Sequence, residues 1–254
     1  MNGTGSIAII PARFRSSRLP GKPLREVAGR TLIEHVYRRV EQVRGLDRIL
    51  IATDDRRILD AVAAFGGEAV LTRADHESGT DRLAEAAAGL DTDTIVVNVQ
   101  GDEPLIEPAA IERALEVARS GDAEVVTLMT PLREPAAILD PNNVKVVVDR
   151  SGRALYFSRS PIPSSGNAFL HLGLYVYRAG FLRTFARLEP SRLEQAERLE
   201  QLRALEHGFR IRVVEVESQS WGIDTPVDLE AFERFIGTEP VQVAGANPID
   251  REQP

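Results

Sequence analysis

Cysteine is absent from the 254 residues, which excludes disulfides, thiolate metal sites and cysteine nucleophiles. The same absence fits a cytoplasmic location. Histidine is scarce, at four, and no Ser-His-Asp order or zinc-ligand spacing appears. No uninterrupted apolar run approaches the roughly 20 residues that span a bilayer, so no membrane segment is expected. The first residues, Met1 to Ser6, lack the basic start and apolar core of a signal peptide. Basic residues are also in deficit. The 31 Lys and Arg against 38 Asp and Glu leave a formal net charge of -7, a poor match to the broad basic face of a nucleic-acid-binding domain.

What is present is the pattern of an α/β protein. Apolar runs rich in β-branched residues predict strands at Ile7–Ile10, Arg48–Ala52, Ala69–Thr72, Thr94–Val99 and Val125–Thr130. Between them, helical spacing of apolar residues predicts helices over Thr31–Val43, Arg56–Phe65, Thr80–Leu90 and Pro108–Arg119. Such alternation implies a mainly parallel, Rossmann-like sheet with helices on both faces. After about Asp140 the pattern changes. Segments Asn143–Val148, Ala154–Ser158 and Phe169–Tyr177 suggest a smaller antiparallel lobe spanning about residues 140–178. Helices over Ala179–Leu188 and Arg192–His207, a strand at Ile211–Val216 and a helix at Pro226–Ile236 follow. One domain over residues 6–236 is expected, with a loose tail over 237–254.

Against the acidic background, Pro11–Arg25 carries Arg13, Arg15, Arg18, Lys22 and Arg25 and no acid before Glu26. Three prolines and a glycine keep it out of regular structure, at the carboxyl end of the first strand, where α/β sheets bind ligands. A phosphate grip is the reading this supports; a solvated charge run is the alternative. It is not a P-loop, because Pro23 follows Gly21-Lys22 where a Ser or Thr would hold magnesium. A predicted buried strand runs into Gln100-Gly101-Asp102, placing Asp102 at its carboxyl end, and Asp224 stands between a strand and a helix. Each carboxylate is a candidate Mg²⁺ ligand, or simply a turn acid or helix cap. Ser78-Gly79-Thr80 at a helix start offers donors to an anion, though capping explains it as well.

These blocks also occur together in one family. Ile-Ile-Pro-Ala-Arg-Phe-x-Ser-Ser-Arg-Leu-Pro-Gly-Lys-Pro-Leu, Ala-Thr-Asp-Asp, Thr-Arg-Ala-Asp-His-x-Ser-Gly-Thr-Asp-Arg-Leu and Val-Asn-Val-Gln-Gly-Asp-Glu-Pro stand in the first half. Ala-Leu-Tyr-Phe-Ser-Arg-x-x-Ile-Pro, His-Leu-Gly-Leu-Tyr-x-Tyr-Arg, Leu-Glu-Gln-Leu-Arg-x-Leu-Glu-His-Gly and Asp-Thr-Pro-x-Asp-Leu-Glu stand in the second. From Ile7 to Phe235 the chain resembles the 3-deoxy-manno-octulosonate cytidylyltransferases, the CMP-Kdo synthetases, among the sugar nucleotidyltransferases.

The resemblance implies a Mg²⁺-dependent reaction of CTP with Kdo to CMP-Kdo and pyrophosphate, for lipopolysaccharide, by a homodimer joined through the second-half strands. It implies catalytic roles for Arg13, Lys22, Asp102 and Asp224, the two aspartates holding the metal. Pro11, Ala12, Arg13, Arg18, Lys22, Arg73, Ser78, Gly79 and Gln100 would bind the nucleotide. Gln100, Arg159, His171, Tyr175, Glu200 and Arg203 would bind the sugar acid. Two departures stand out: a short Ser164–Ala168 segment expected at the rim of the sugar site or at the dimer contact, and Arg192 where proline is common. A related acceptor, an 8-amino Kdo or a sialic acid, and a non-catalytic nucleotide-binding protein of this fold are the alternatives.

Overall fold

Residues 5–16, 18–76, 78–218 and 221–238 are described by a computed structural model. In chain order the elements are β1 (Ser6–Ala12), β2 (Glu26–Val27), β3 (Arg30–Thr31), α1 (Leu32–Val40), β4 (Arg48–Thr53), α2 (Arg56–Ala64), β5 (Ala69–Leu71), α3 (Gly79–Ala86) and β6 (Ile95–Asn98). Then come α4 (Pro108–Ser120), β7 (Val125–Leu132), α5 (Pro135–Leu139), β8 (Lys145–Val148), β9 (Ala154–Ser158), β10 (Ala168–Arg178), α6 (Ala179–Phe185), α7 (Arg192–Glu197), α8 (Gln201–Glu206), β11 (Ile211–Glu215) and α9 (Pro226–Thr238).

The main sheet runs β11-β7-β10-β6-β1-β4-β5, with β8 and β9 off its edge. Strands β5, β4, β1 and β6 are parallel, as is the β11–β7 pair. Because successive side chains of a strand face opposite ways, β1 serves two cores. Ala8, Ile10 and Ala12 pack toward α1, α2 and α4, whereas Ile7 and Ile9 pack toward α3, α6 and α8. The expected α/β class with helices on both faces is what forms.

Two expectations change. First, the segment assigned to the antiparallel lobe includes β10, which lies inside the main sheet, antiparallel to β6 through Tyr175↔Asn98 and to β7 through Tyr177↔Val125. Its buried run Leu172, Leu174 and Val176 belongs to the central core, so only β8, β9 and the first residues of β10 stand off. Second, the helix predicted over Arg192–His207 is two helices, α7 and α8, interrupted at Arg198, which has φ 55 and ψ 50. The N–H groups of Arg198 and Leu199 both return to the Glu194 carbonyl, ending α7. Arg192 is the first residue of α7, after the cap at Ser191. Gly237 and Thr238 close α9, and the remainder of the predicted tail, 239–254, lies outside the described residues.

Candidate active site

The basic stretch leaves β1 only after Ala12, because Pro11 and Ala12 still pair in register with Ala52 and Thr53. From Arg13 on it is a fixed loop. Gly21 takes a left-handed φ of 67 that a side chain would disfavour. Its N–H bonds Phe14 O, and a single 3-10 turn follows at Lys22–Leu24. Phe14 lies under the Arg57 guanidinium at 3.4 Å, and its N–H donates to Asp54 Oδ1. Leu19 is buried with Val27, Leu32, Ile223 and Phe232, an apolar cluster separate from the two main cores. That cluster ties the loop to the last helix and its preceding turn.

The same tie brings two distant carboxylates together. The Ile223 N–H bonds Asp102 O, which sets the turn before α9 against the turn after β6. Thr225, not Asp224, caps α9, its hydroxyl accepting the Asp228 N–H. Asp224 is therefore left to the site. Lys22 Nζ donates to Asp102 Oδ2 at 2.6 Å and to Asp224 Oδ1 at 3.0 Å, and Arg18 Nη2 lies 2.9 Å from Asp224 Oδ2. Burial works against the Lys22 charge, but the pair of carboxylates outweighs it and raises the pKa above the ordinary lysine value. Two carboxylates converging on one positive centre are a donor set that suits Mg²⁺, which takes one or two protein carboxylates and completes its shell with phosphate and water. No cluster of three or more His, Cys, Asp or Glu that could hold a metal ion occurs among the described residues.

Gly101 is where backbone meets backbone. A Cβ there would stand 2.6 Å from Pro11 O, inside any real contact distance. The glycine lets the turn carrying Asp102 close onto the end of β1. Beside it, Gln100 Nε2 donates to Gly173 O at 3.0 Å, at the irregularity in β10 between Leu172 and Tyr175.

Two cavities meet at this point. One, of about 480 Å³, is lined by Pro11, Ala12, Arg13, Arg18, Lys22, Ser78 and Asp102 among others. The second, of about 210 Å³, lies between the sheet and the α6–α8 layer and includes Thr80, Asn98, Tyr175, Tyr177, Arg198 and Gln201. Gly79, Gln100 and Glu200 line both. In the smaller cavity Glu200 accepts from Thr80 Oγ1 at 2.6 Å, while Asn98 Oδ1 and Gln201 Nε2 are buried without a partner. An acceptor and a donor buried without partners suit a ligand with hydroxyl groups. Burial raises the Tyr175 phenol, with Glu200 adding to the effect, so it remains a neutral hydroxyl.

Residues 7–212 match the family described as cytidylyltransferase. The 3-deoxy-manno-octulosonate cytidylyltransferase of Syntrophotalea carbinolica is 54% identical, over 90% of this chain and 97% of its own length. That of Syntrophobacter fumaroxidans is 55% identical, over 89% of this chain and 94% of its own. The chain belongs to the cytidylyltransferase family. A solved structure of CMP:2-keto-3-deoxy-manno-octonic acid synthetase complexed with CTP is 44% identical, covers 92% of this chain and 98% of its own, and superposes with a TM-score of 0.88. A 4-diphosphocytidyl-2C-methyl-D-erythritol synthase, 16% identical with a TM-score of 0.64, shares the fold alone.

Within this cytidylyltransferase, four of the expected residues, Arg73, Arg159, His171 and Arg203, line neither cavity. The Arg73 guanidinium pairs with Asp75 on the surface and lines neither cavity; its carbonyl instead accepts from Arg82. Arg203 forks onto Glu194 at 2.7 and 2.5 Å and lies over Phe185, holding α8 to α7. Arg159 donates to the Glu197, Pro141 and Arg198 carbonyls. His171 packs edge-on to Phe157, bonds the Thr127 hydroxyl at 2.9 Å, and is lowered by burial to a pKa of about 3, so it is neutral and not a cation for a carboxylate. The short Ser164–Ala168 segment lines a separate cavity with Pro131 and Ile138 rather than the rim of either site cavity.

Other residues escaped the sequence reading. Asp54 joins the basic loop to Arg82, which is wholly buried and also reaches Thr72 Oγ1 and the Arg73 carbonyl. An Asp-Arg pair separated by 28 positions has no local pattern to announce it. Asn98, Gln201 and Arg198 likewise reach the site through tertiary proximity.

Proposed function

We propose that this protein transfers CMP from CTP to 3-deoxy-D-manno-octulosonate, releasing pyrophosphate, with Mg²⁺ held by Asp102 and Asp224. The observation that carries the reading is the wall shared by the two cavities at Gly79, Gln100 and Glu200. It sets a cation-lined space for a triphosphate against a smaller space, with an unpartnered amide oxygen and amide nitrogen, for a polyol. The anomeric hydroxyl oxygen attacks the α-phosphorus, the bond to the bridging oxygen of the β-phosphate breaks, and pyrophosphate leaves with that electron pair. The hydroxyl proton is lost. Little covalent work falls to the protein in such a transfer, whose barrier is lowered by alignment and charge neutralisation.

Arg13, Arg18 and Lys22 neutralise the charge that builds on the departing pyrophosphate. Lys22 reaches Asp102 and Asp224 as well, so one ammonium spans the carboxylates and the phosphate space. Bound Mg²⁺ supplies Lewis-acid neutralisation and a lower pKa for the attacking hydroxyl. Gln100, fixed by Gly173, and the Tyr175 phenol offer the sugar hydrogen bonds from fixed positions.

A homodimer joined through the second-half strands fits the exposed Leu155 on β9, at 62% exposure. Use of CTP fits a cytoplasmic place at the head of lipopolysaccharide assembly. Purified protein given CTP, Kdo and Mg²⁺ tests the proposal: pyrophosphate release that needs all three is expected. Its absence with Kdo, or its persistence in chelator, overturns the substrate or the metal assignment respectively.

A further inference from the structure

Arg82 and Lys145 are the two cations with no exposed surface among the described residues. Lys145 donates to the carbonyls of Asp140, Asn143 and Arg159, all close to β8 and β9 in the chain. Arg82, on α3, instead joins segments that lie far apart. Its Nη2 stands 3.3 Å from Asp54 Oδ2, and its Nη1 donates to Thr72 Oγ1 and to the Arg73 carbonyl. Asp54 follows β4 and is nearly buried, with 11% of its side chain exposed. Its other oxygen accepts the Phe14 N–H at 3.3 Å, one residue into the basic loop from Arg13.

Stability alone gives little reason for an arginine here. Packed apolar side chains of similar volume often match or exceed a buried ion pair in stability. Burial works against the Arg82 charge, Asp54 supports it, and the like charge of Arg13 opposes it again. Its Nε is buried without a partner. What the pair does supply is a link between the two walls of the larger cavity. On one side, Phe14 O accepts the Gly21 N–H and Lys22 follows, so Asp54 holds the span that carries Arg13 and Lys22. On the other, Arg82 belongs to the helix whose cap Ser78 and first residue Gly79 line that cavity with them. Neither Asp54 nor Arg82 lines either cavity, so neither is placed to touch a substrate.

We propose that Asp54 and Arg82 are positioning residues for CMP transfer, an ion pair that holds the basic loop and the start of α3 at the spacing the triphosphate requires. The pair acts through Phe14 on one side and through α3 on the other. Cations that neutralise transition-state charge lose much of their effect when displaced by about 1 Å. The assignment rests on the larger cavity being the triphosphate site.

The double variant Asp54→Asn/Arg82→Met separates positioning from support of the fold. It leaves no buried unpaired charge, so its urea midpoint should stay near the wild-type value. Asparagine keeps an acceptor for the Phe14 N–H, but the bridge to α3 is gone. Pyrophosphate release is measured with CTP and Kdo varied in turn. kcat/KM for CTP should fall roughly 10- to 100-fold, chiefly through kcat, while the KM for Kdo stays within about twofold. Asp54→Asn alone should lower both the midpoint and this rate, and adding Arg82→Met should restore the midpoint without the rate. A rate that returns with stability makes the pair structural and overturns the proposal, as does a KM for Kdo that rises as much as that for CTP. Arg82→Lys keeps the charge but not the fork, so it should show a smaller loss of the same kind. Wild-type kinetics there count against the pair even if the double variant does not fold. Lys22→Ala is measured in parallel. An unchanged kcat/KM for CTP in it removes the triphosphate reading and the positioning role together, whereas a loss there with none in the double variant removes the pair alone.

Discussion

His171 offers a quantitative test, because its charge state separates a core imidazole from a substrate-binding imidazolium. Burial among Phe157 and Tyr175 lowers its pKa from the ordinary 6.5 to about 3. The unfolded chain takes up a proton at this residue as pH falls through about 6.5, whereas the folded chain does not until about pH 3. Acid therefore favours unfolding across that window, and the contribution to stability is fully present only above it. Between pH 7 and pH 5 the loss at this one residue is about 1.9 kcal/mol, from the proton linkage of a group with an unfolded pKa of about 6.5. The figure hardly depends on the folded value once that lies below about 4.

His171→Gln keeps a polar partner for Thr127 Oγ1 and removes the titration. Urea unfolding of both proteins at pH 7, 6 and 5 gives two stability curves, and other titrating groups, including the half-buried His35, cancel in their difference. The variant should be less stable at pH 7 through lost packing. Its deficit should shrink by about 1.9 kcal/mol on going to pH 5. Parallel curves would refute the neutral, buried imidazole, and a deficit that grows with acid would mean a stabilised imidazolium instead.

Gly101→Ala forces a Cβ to within 2.6 Å of Pro11 O, so β1 and the Asp102 turn must part. Displacement of about 1 Å at a reacting centre costs on the order of 100-fold in rate, measurable as kcat with circular dichroism unchanged. Asp102→Asn should lower turnover by at least about 100-fold, as expected for loss of a group that stabilises transition-state charge. It should also weaken Mn²⁺ binding followed by electron paramagnetic resonance, and wild-type binding would remove Asp102 from the metal site. Glu194→Gln leaves the Arg203 guanidinium buried without its carboxylate, so stability should fall by about 3 kcal/mol in chemical denaturation. A change below about 1 kcal/mol would make the pair a surface-like contact.

The parallel half of the fold is legible from the chain because each strand there is a short apolar run closed by a turn, with its partner a helix away. Strand β10 is not, for its alternation says only that both faces are partly buried, and nothing local tells whether its neighbour is β8 or β6. The α7–α8 break is illegible for a related reason. Arg198 has good helix propensity, and no glycine marks the stop. At the site, Asp102 and Lys22 stand in blocks whose residue types suggest chemistry. Arg159, His171 and Arg203 stand in equally recognisable blocks, and their side chains meet backbone carbonyls, the Thr127 hydroxyl and Glu194 outside both cavities. Residue type announces a charge, and only packing decides what that charge meets.

The place of β10 in the sheet bears on how the chain is made. Asn98 on β6 finds its partner only when Tyr175 has been synthesised. At ribosomal rates that leaves the hydrogen-bonding edge of β6 open for roughly 4–15 s after it emerges. The two strands on either side of β10 are joined only through it, so the nucleotide half gains its neighbour when the sugar half arrives. A stop or cleavage before Ala168 would leave a bare, apolar central edge, the kind of surface on which nascent chains aggregate.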